Sequence, residues 1–223
     1  MASSILLSWS GGKDSALALE ALRADSSVTV VGLLTSITNE YDRISIHGVR
    51  RELLDAQVRQ LGLPLHVIAL EPGASNEVYE AAFHDGVARA RSAHAGLNGI
   101  AFGDLFLEDV RCYRETLLAG SGLVARFPLW GRDTSALART FIDRGFEATL
   151  VCVDTTQIDG AFAGRAYDHE LLADLPPGTD PCGERGEFHT FVAAGPIFAA
   201  PVQYQVGECV LRNGRFMYAD LLA

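Results

Sequence analysis

The sequence predicts an α/β fold, a doubly wound parallel sheet followed by a smaller α+β region, and three observations carry that prediction. Short apolar runs alternate with segments of helical spacing from the start of the chain to about residue 119. The strand-like run at 28–34 is apolar and β-branched on both faces, as a strand covered by helices on two sides must be. Beyond residue 120 the alternation lapses and turn formers gather.

Residues 5–8 are an apolar run ending in a glycine-containing turn, and residues 15–22 place apolar side chains at helical spacing, which gives strand, loop, helix. Residues 28–34 form the next strand and 49–61 the next helix. The pattern repeats with a strand at 65–70, a helix at 76–93, a strand at 99–103 and a helix at about 108–119. Strands alternating with helices in this way join in parallel through crossovers. Past Gly120, Phe127-Pro128-Leu129-Trp130 is irregular, 135–144 reads as a helix and 148–153 as a strand. A boundary near residue 122 divides the chain into a first domain, 1–122, and a smaller second one, 123–223. Turn formers crowd the last third, and Asn213-Gly214 between strand-like runs at 206–211 and 215–218 predicts a type I′ hairpin.

Hydrophobic residues make up 48% of the chain and charged residues 21%, ordinary for a globular enzyme, and 223 residues can bury a real core. The net charge of −10, with no basic stripe, repels phosphate backbones and disfavours a nucleic-acid partner. No basic segment opens the chain and no run approaches eighteen apolar residues, so a cytoplasmic protein without a membrane partner is expected. The cysteines Cys112, Cys152, Cys182 and Cys209 lie far apart without a Cys-x-x-Cys pair, and reduced thiols are expected.

The chemistry is concentrated first in Ser10-Gly11-Gly12-Lys13-Asp14-Ser15, between the first strand, which ends at Ser8, and the first helix. Adjacent glycines let the backbone approach a ligand, and amides at a helix N-terminus carry partial positive charge, so the segment can cradle phosphate oxygens. Lys13 adds a cation, Ser10 and Ser15 add hydroxyls, and Asp14 can orient the loop or hold a Mg²⁺ that pyrophosphate also binds. The segment is not a Walker A loop: Leu7 stands where that motif needs its first glycine and Asp14 follows the lysine. Capping of the helix is the bland reading, against which the strand-to-helix context weighs.

Three further clusters fall where an open α/β sheet binds ligands, or in the turn-rich last third. His47-Gly48-Val49-Arg50 opens the second helix, and Gly103-Asp104 ends the fourth strand. On the helix after it, Arg111 and Glu115 share a face at i, i+4 spacing, a pair that is otherwise an ordinary solvated ion pair. The third is Asp180-Pro181-Cys182-Gly183-Glu184-Arg185-Gly186-Glu187-Phe188-His189-Thr190. Its carboxylates and imidazole can orient or deprotonate an amine, and Cys182 can act as a nucleophile if its pKa is lowered. Its irregular ligand spacing speaks against zinc.

Ser-Gly-Gly-x-Asp-Ser after a first strand resembles the pyrophosphate loop of the PP-loop ATPases, which cut ATP between the α and β phosphates. Taken with His47-Gly-Val, Gly103-Asp104, Phe127-Pro-Leu-Trp130 and Cys182-Gly-Glu-x-Gly-Glu-Phe-His-Thr190, it resembles the diphthine-ammonia ligase family across nearly the whole chain. The resemblance implies a HUP-type nucleotide-binding domain, a smaller C-terminal domain bearing the Cys-Gly-Glu loop, and a substrate site between them. Phe-His-Thr follows the second Glu where Tyr-Glu-Thr is the family's pattern, which looks more like a bacterial branch. That placement implies an acceptor other than diphthine.

The resemblance implies that ATP, with Mg²⁺, lies along residues 10–15 with its adenine near residues 32–36. Ser8, Ser10, Gly11, Gly12, Lys13, Asp14, Ser15, Thr35 and Gly103 would bind it, and Asp14 would serve the metal. Lys13, Asp14, Asp104, Glu184, Glu187 and His189 are the catalytic candidates. His47, Arg50, Arg111, Cys182, Gly183, Glu184 and Glu187 are the substrate-binding candidates. The implied partners are a small-molecule or protein-borne carboxylate and ammonia, free or from a separate donor protein, since no glutaminase motif is present; a homodimer is open to the chain. Two alternatives stand beside this reading, a tRNA-modifying PP-loop enzyme and a non-catalytic ATP or AMP sensor. The missing Cys-x-x-Cys pair and the acidic charge speak against the first, and tight ATP binding without turnover would mark the second.

Overall fold

The computed structural model describes residues 2–223, and its first domain is a wound α/β sheet. In chain order its elements are β1 (Ser3–Ser8), α1 (Lys13–Ala24), β2 (Val28–Thr38), β3 (Arg43–Ile44), α2 (Arg51–Leu61), β4 (Leu65–Leu70), α3 (Asn76–Ala93), β5 (Leu97–Ala101), α4 (Glu108–Leu117) and β6 (Val124–Arg126). The parallel strands lie in the order β4-β2-β1-β5-β6, with β3 an antiparallel addition to the end of β2. Along β1 the side chains of Ile5 and Leu7 enter one core and Leu6 the other, the burial on both faces that helices on either side impose. The first core continues into the second half of the chain through Phe188, Phe191 and Val192, while the second packs Phe83, Phe102 and Leu117 against the opposite face.

The remainder comprises α5 (Thr134–Asp143), β7 (Glu147–Asp154), α6 (His169–Asp174), β8 (Phe188–Ala194), β9 (Gln205–Arg212) and β10 (Phe216–Leu222). Its four strands form an antiparallel sheet in the order β8-β7-β10-β9. Asn213 and Gly214, at φ 52° and 62°, make the β9–β10 turn, the positive dihedrals a type I′ hairpin requires.

Several boundaries differ from the sequence expectation for local reasons. The strand expected at 99–103 stops at Ala101, so Gly103-Asp104 lies in the loop beyond the ladder. The helix expected from residue 49 begins at Arg51, because Gly48 sits at φ 71° and Arg50 is the extended N-cap. The helix expected to reach 119 ends at Leu117. Strand β6 pairs with β5 past residue 122, extending the first sheet by three residues too few to carry a periodic signal. For the same reason β3 and α6 leave no trace in hydrophobic spacing.

Candidate active site

The strand order reverses at β1, with β2 and β4 on one side and β5 and β6 on the other, so the crevice at the carboxyl ends opens over the loop after β1. Within that loop Ser10 Oγ accepts from the Gly12 amide at 3.3 Å and the Ser15 hydroxyl donates to the Gly12 carbonyl at 2.7 Å. Asp14 falls in the first turn of α1, where a carboxylate complements the helix dipole.

The second domain closes on the loop through strand β8. The Thr190 hydroxyl oxygen accepts from the Lys13 amide at 3.0 Å, and the Val192 amide donates to the Gly11 carbonyl at 2.9 Å. A Cβ at position 12 would stand 3.0 Å from the Thr190 carbonyl oxygen and 3.1 Å from the His47 ring, so a side chain there would push β8 or His47 back and glycine allows the close docking. Fully buried Gln57 on α2 ties the junction: its amide nitrogen donates to the Gly11 carbonyl at 3.0 Å and the Val192 carbonyl at 2.7 Å. Its amide oxygen accepts from the Trp9 indole at 3.0 Å.

Lys13 is 3% exposed and points across the domain junction rather than out to solvent. Its ammonium donates to Asp14 Oδ2 at 2.8 Å and to the Cys182 carbonyl, near the Tyr167 and Phe188 rings. Burial works against its charge, yet Asp14 beside it outweighs that and the net shift is upward, so Lys13 stays protonated. Burial pushes the Asp14 carboxyl up against the opposing pull of Lys13. With 28% of that side chain exposed, water tempers the push, and the 2.8 Å contact is an ion pair.

The Cys-Gly-Glu segment is a loop braced by its own buried carboxylates. Asp180 accepts from the Cys182 amide at 3.0 Å and the Glu184 amide at 3.2 Å; Glu187 accepts from the Asp180 and Arg185 amides, each at 3.0 Å. Glu187 therefore faces into the loop. Glu184 faces out and accepts from the Leu105 amide at 2.7 Å, just beyond Asp104. Burial, helped by Asp14 and Asp104 and opposed by that amide, lifts the Glu184 carboxyl to about 7. Gly103 lets this edge close on α1, since a Cβ there would lie 3.1 Å from the Asp14 backbone carbonyl carbon. The Cys182 thiol is 1% exposed, turned to the Thr134 carbonyl at 3.3 Å, and burial pushes it up to about 12, which removes it as a nucleophile.

His47 and His189 pack against each other beside the loop with ring centroids 4.5 Å apart and planes tilted by 37°. Burial lowers His189 to about 4 and His47 well below its ordinary value, so both rings are neutral at pH 7. Beside them a cleft of about 720 Å³, the size of a small-molecule site, runs along the strand ends. Leu34, Ser36, Thr38 and Leu70 of β2 and β4 form one wall; Ser8, Ser10 and His47 line its middle; Tyr79, Asp109, Tyr113 and Arg114 of α3 and α4 form the other.

Other expected residues stand apart. Thr35 is buried and its hydroxyl donates to the Trp9 carbonyl, so its neighbours Leu34 and Ser36 face the cleft instead. Arg50 makes a two-pronged pair with Asp220 on β10, at 3.0 and 2.6 Å, and Arg111 is paired with Glu115 at 2.9 Å and laid against Phe127 and Trp130. Sequence reasoning missed Trp9 and Gln57, quoted Asp180 only as the start of the Cys-Gly-Glu segment, and gave Arg114 no role in the site; Gln57 reads as any polar helix residue.

The chain matches the Diphthamide synthase N-terminal domain over residues 2–124 and the Diphthamide synthase C-terminal domain over residues 133–214. Among curated proteins it is similar to a diphthine–ammonia ligase of Danio rerio, 25% identical over 224 residues that cover 92% of this chain and 87% of that protein. With two family domains matched over most of its length, the chain belongs to the diphthamide synthase family of ATP-dependent ligases.

Proposed function

We propose that the chain forms an amide from a substrate carboxylate and ammonia, cleaving ATP to AMP and pyrophosphate. The observation that carries this reading is the convergence of two loops from different domains: the phosphate loop after β1 and the braced Cys-Gly-Glu loop, joined through Lys13 and Glu184. ATP lies with its adenine on the β2–β4 wall and its phosphates along residues 10–15. A carboxylate oxygen of the substrate attacks the α phosphorus, the bond to the β phosphate breaks and pyrophosphate leaves. Ammonia then attacks the acyl carbon, and AMP departs with the former carboxylate oxygen.

Helix-terminal amides and Lys13 offset the charge that builds on the phosphates. Glu184, with a carboxyl lifted to about 7, takes the proton that ammonia sheds as its nitrogen becomes an amide. Asp104 and His189 line the approach to that centre, and Glu187 acts by holding Glu184 in place. Asp14 fits a Mg²⁺ role, since its Oδ1 has no hydrogen-bond partner. Among the described residues no three His, Cys, Asp or Glu side chains converge to hold a metal, so the nucleotide's own phosphates would supply most of its ligands. When bound, Mg²⁺ would neutralise phosphate charge.

Incubation of the protein with Mg-ATP, ammonium and a small-molecule extract of its source cells, followed by phosphorus NMR, tests the proposal. AMP with pyrophosphate is the expected outcome, abolished in a folded Asp14→Ala or Lys13→Ala variant. ADP with inorganic phosphate would overturn it.

A further inference from the structure

We infer that Arg114, on the α4 wall of the cleft, seats the anionic oxygens of the acceptor carboxylate; this rests on the ligase reading above. Attack of a carboxylate on the α phosphorus brings two anions together, and a cation must stand on the acceptor's side. Other candidates are already engaged: Lys13 by Asp14 and the Cys182 carbonyl, Arg111 by Glu115, Arg50 by Asp220. Arg114 is the one Lys or Arg among the described residues lining the cleft, whose imidazole, His47, is neutral.

Its geometry is that of a group held in position with bonding capacity to spare. The guanidinium lies over the Phe102 ring with 5.1 Å to the centroid, and Nη1 reaches the Tyr79 hydroxyl at 3.5 Å. Its Nε stands 3.6 Å from Asp104 Oδ2, an electrostatic contact too long for a hydrogen bond. Both of those atoms are buried without a hydrogen-bond partner, which native structures rarely leave without a purpose. A guanidinium meets a carboxylate through two parallel hydrogen bonds, and since Nε is turned to Asp104, a ligand carboxylate in the cleft would meet the two Nη groups, of which Nη1 makes only the long contact to Tyr79. Topology assigns the side. The phosphate loop follows the central strand β1, the β2–β4 wall with Leu34 and Leu70 suits a flat base, and the α4 wall faces the α phosphate from the opposite direction. Sequence spacing could not separate Arg114 from Arg111; only the helix's rotation shows which of them faces the cleft.

The test compares the unaltered protein with Arg114→Gln and Arg114→Lys in two measurements. Calorimetric titration with Mg-α,β-methylene-ATP should give dissociation constants within about twofold of one another, since the phosphates are held elsewhere. AMP release from Mg-ATP and ammonium, measured against a dilution series of the small-molecule extract, should then show the split. Arg114→Gln should need at least tenfold more extract for half-maximal rate at an unchanged KM for ATP, and Arg114→Lys should recover part of the loss. A tenfold loss of analogue affinity in Arg114→Gln would assign Arg114 to the phosphates of ATP and overturn the inference, as would an unchanged dependence on extract. ADP with inorganic phosphate as the products of the unaltered protein would overturn the ligase reading, and the inference with it.

Discussion

Cysteine and glutamate in the same short loop meet opposite fates, and single-residue environments explain both. Cys182 opens the motif but is sealed at 1% exposure with its thiol pushed up to about 12 by burial, whereas Cys112 and Cys209 are exposed. Iodoacetamide applied to the native protein at pH 8 should therefore modify Cys112 and Cys209 and leave Cys182 unlabelled, read by peptide mass spectrometry; labelling of Cys182 ahead of the other two would show that the loop opens in solution. Glu184 is half-sheltered, and burial with Asp14 and Asp104 nearby raises its carboxyl to about 7. A base must be ionised to accept a proton, so at a fixed concentration of free ammonia turnover should rise as pH passes through about 7 and level off above it. His47 and His189, already neutral there, should add no second limb. Glu184→Gln should lower kcat by about 10²-fold or more and flatten the profile; an unaltered limb in that variant would move the base to another residue.

At the scale of elements, the β8 strand is what gives the phosphate loop its shape, and Gln57 on α2 is the joint between them. Replacing Gln57 by leucine keeps the helix but leaves the Trp9 indole and the Val192 carbonyl without their buried partner, each worth about 1–3 kcal/mol, while the Gly11 carbonyl keeps the Val192 amide. Partial relaxation reduces the sum, so urea denaturation should show a loss of about 3 kcal/mol or more. Thr190→Val, which removes only the acceptor of the Lys13 amide, should cost about 1–2 kcal/mol and raise the KM for ATP. These two contacts also mark the limit of what was legible in the sequence. Glycines, a lysine and two serines in six residues mark the loop between β1 and α1 because that signal is local. The contact between Gln57 and Val192 spans 135 positions, and no spacing rule connects a helix glutamine to a strand carbonyl. Alternation of strands and helices gave the parallel sheet, since burial on both faces writes itself into composition, but β3 and β6, with two and three residues, are too short to leave a period. The expected site residues divide on the same ground: His47, Asp104 and Glu184 reach the junction, while Arg50 and Arg111 lie on the right elements but turn to other partners.

At the scale of the molecule, the active cleft depends on two sheets keeping one relative position, and besides β8 they are fastened by a charged link from β10, two strands further across the second sheet. Asp220 on β10 accepts from Arg43 at 2.9 Å and from Arg50 at 3.0 and 2.6 Å, joining the C-terminal strand to the segment between β3 and α2 that also carries His47. Hydrogen bonds from Arg50, opposed by burial and helped by Arg43, hold the Asp220 carboxyl down at about 2. That folded value lies below the 3.8 of a free aspartate, so the stabilisation is complete above pH 3.8 and drains away as pH falls toward 2. Full conversion of the shift would overstate its worth, because 25% of the side chain meets water, and about 1–2 kcal/mol is the expected size. Asp220→Asn should accordingly melt a few degrees below the unaltered protein at pH 7, and the gap should stay constant down to about pH 4 before narrowing. A link between domains has a second signature that a local surface pair lacks: weakening it should separate the unfolding of the two sheets. A single calorimetric transition in the unaltered protein that broadens or splits in Asp220→Asn would place the cleft's integrity in this link, whereas a uniformly shifted single peak would leave the coupling to the β8 junction, the Lys13 and Glu184 contacts and the continuous core through Phe188 and Phe191.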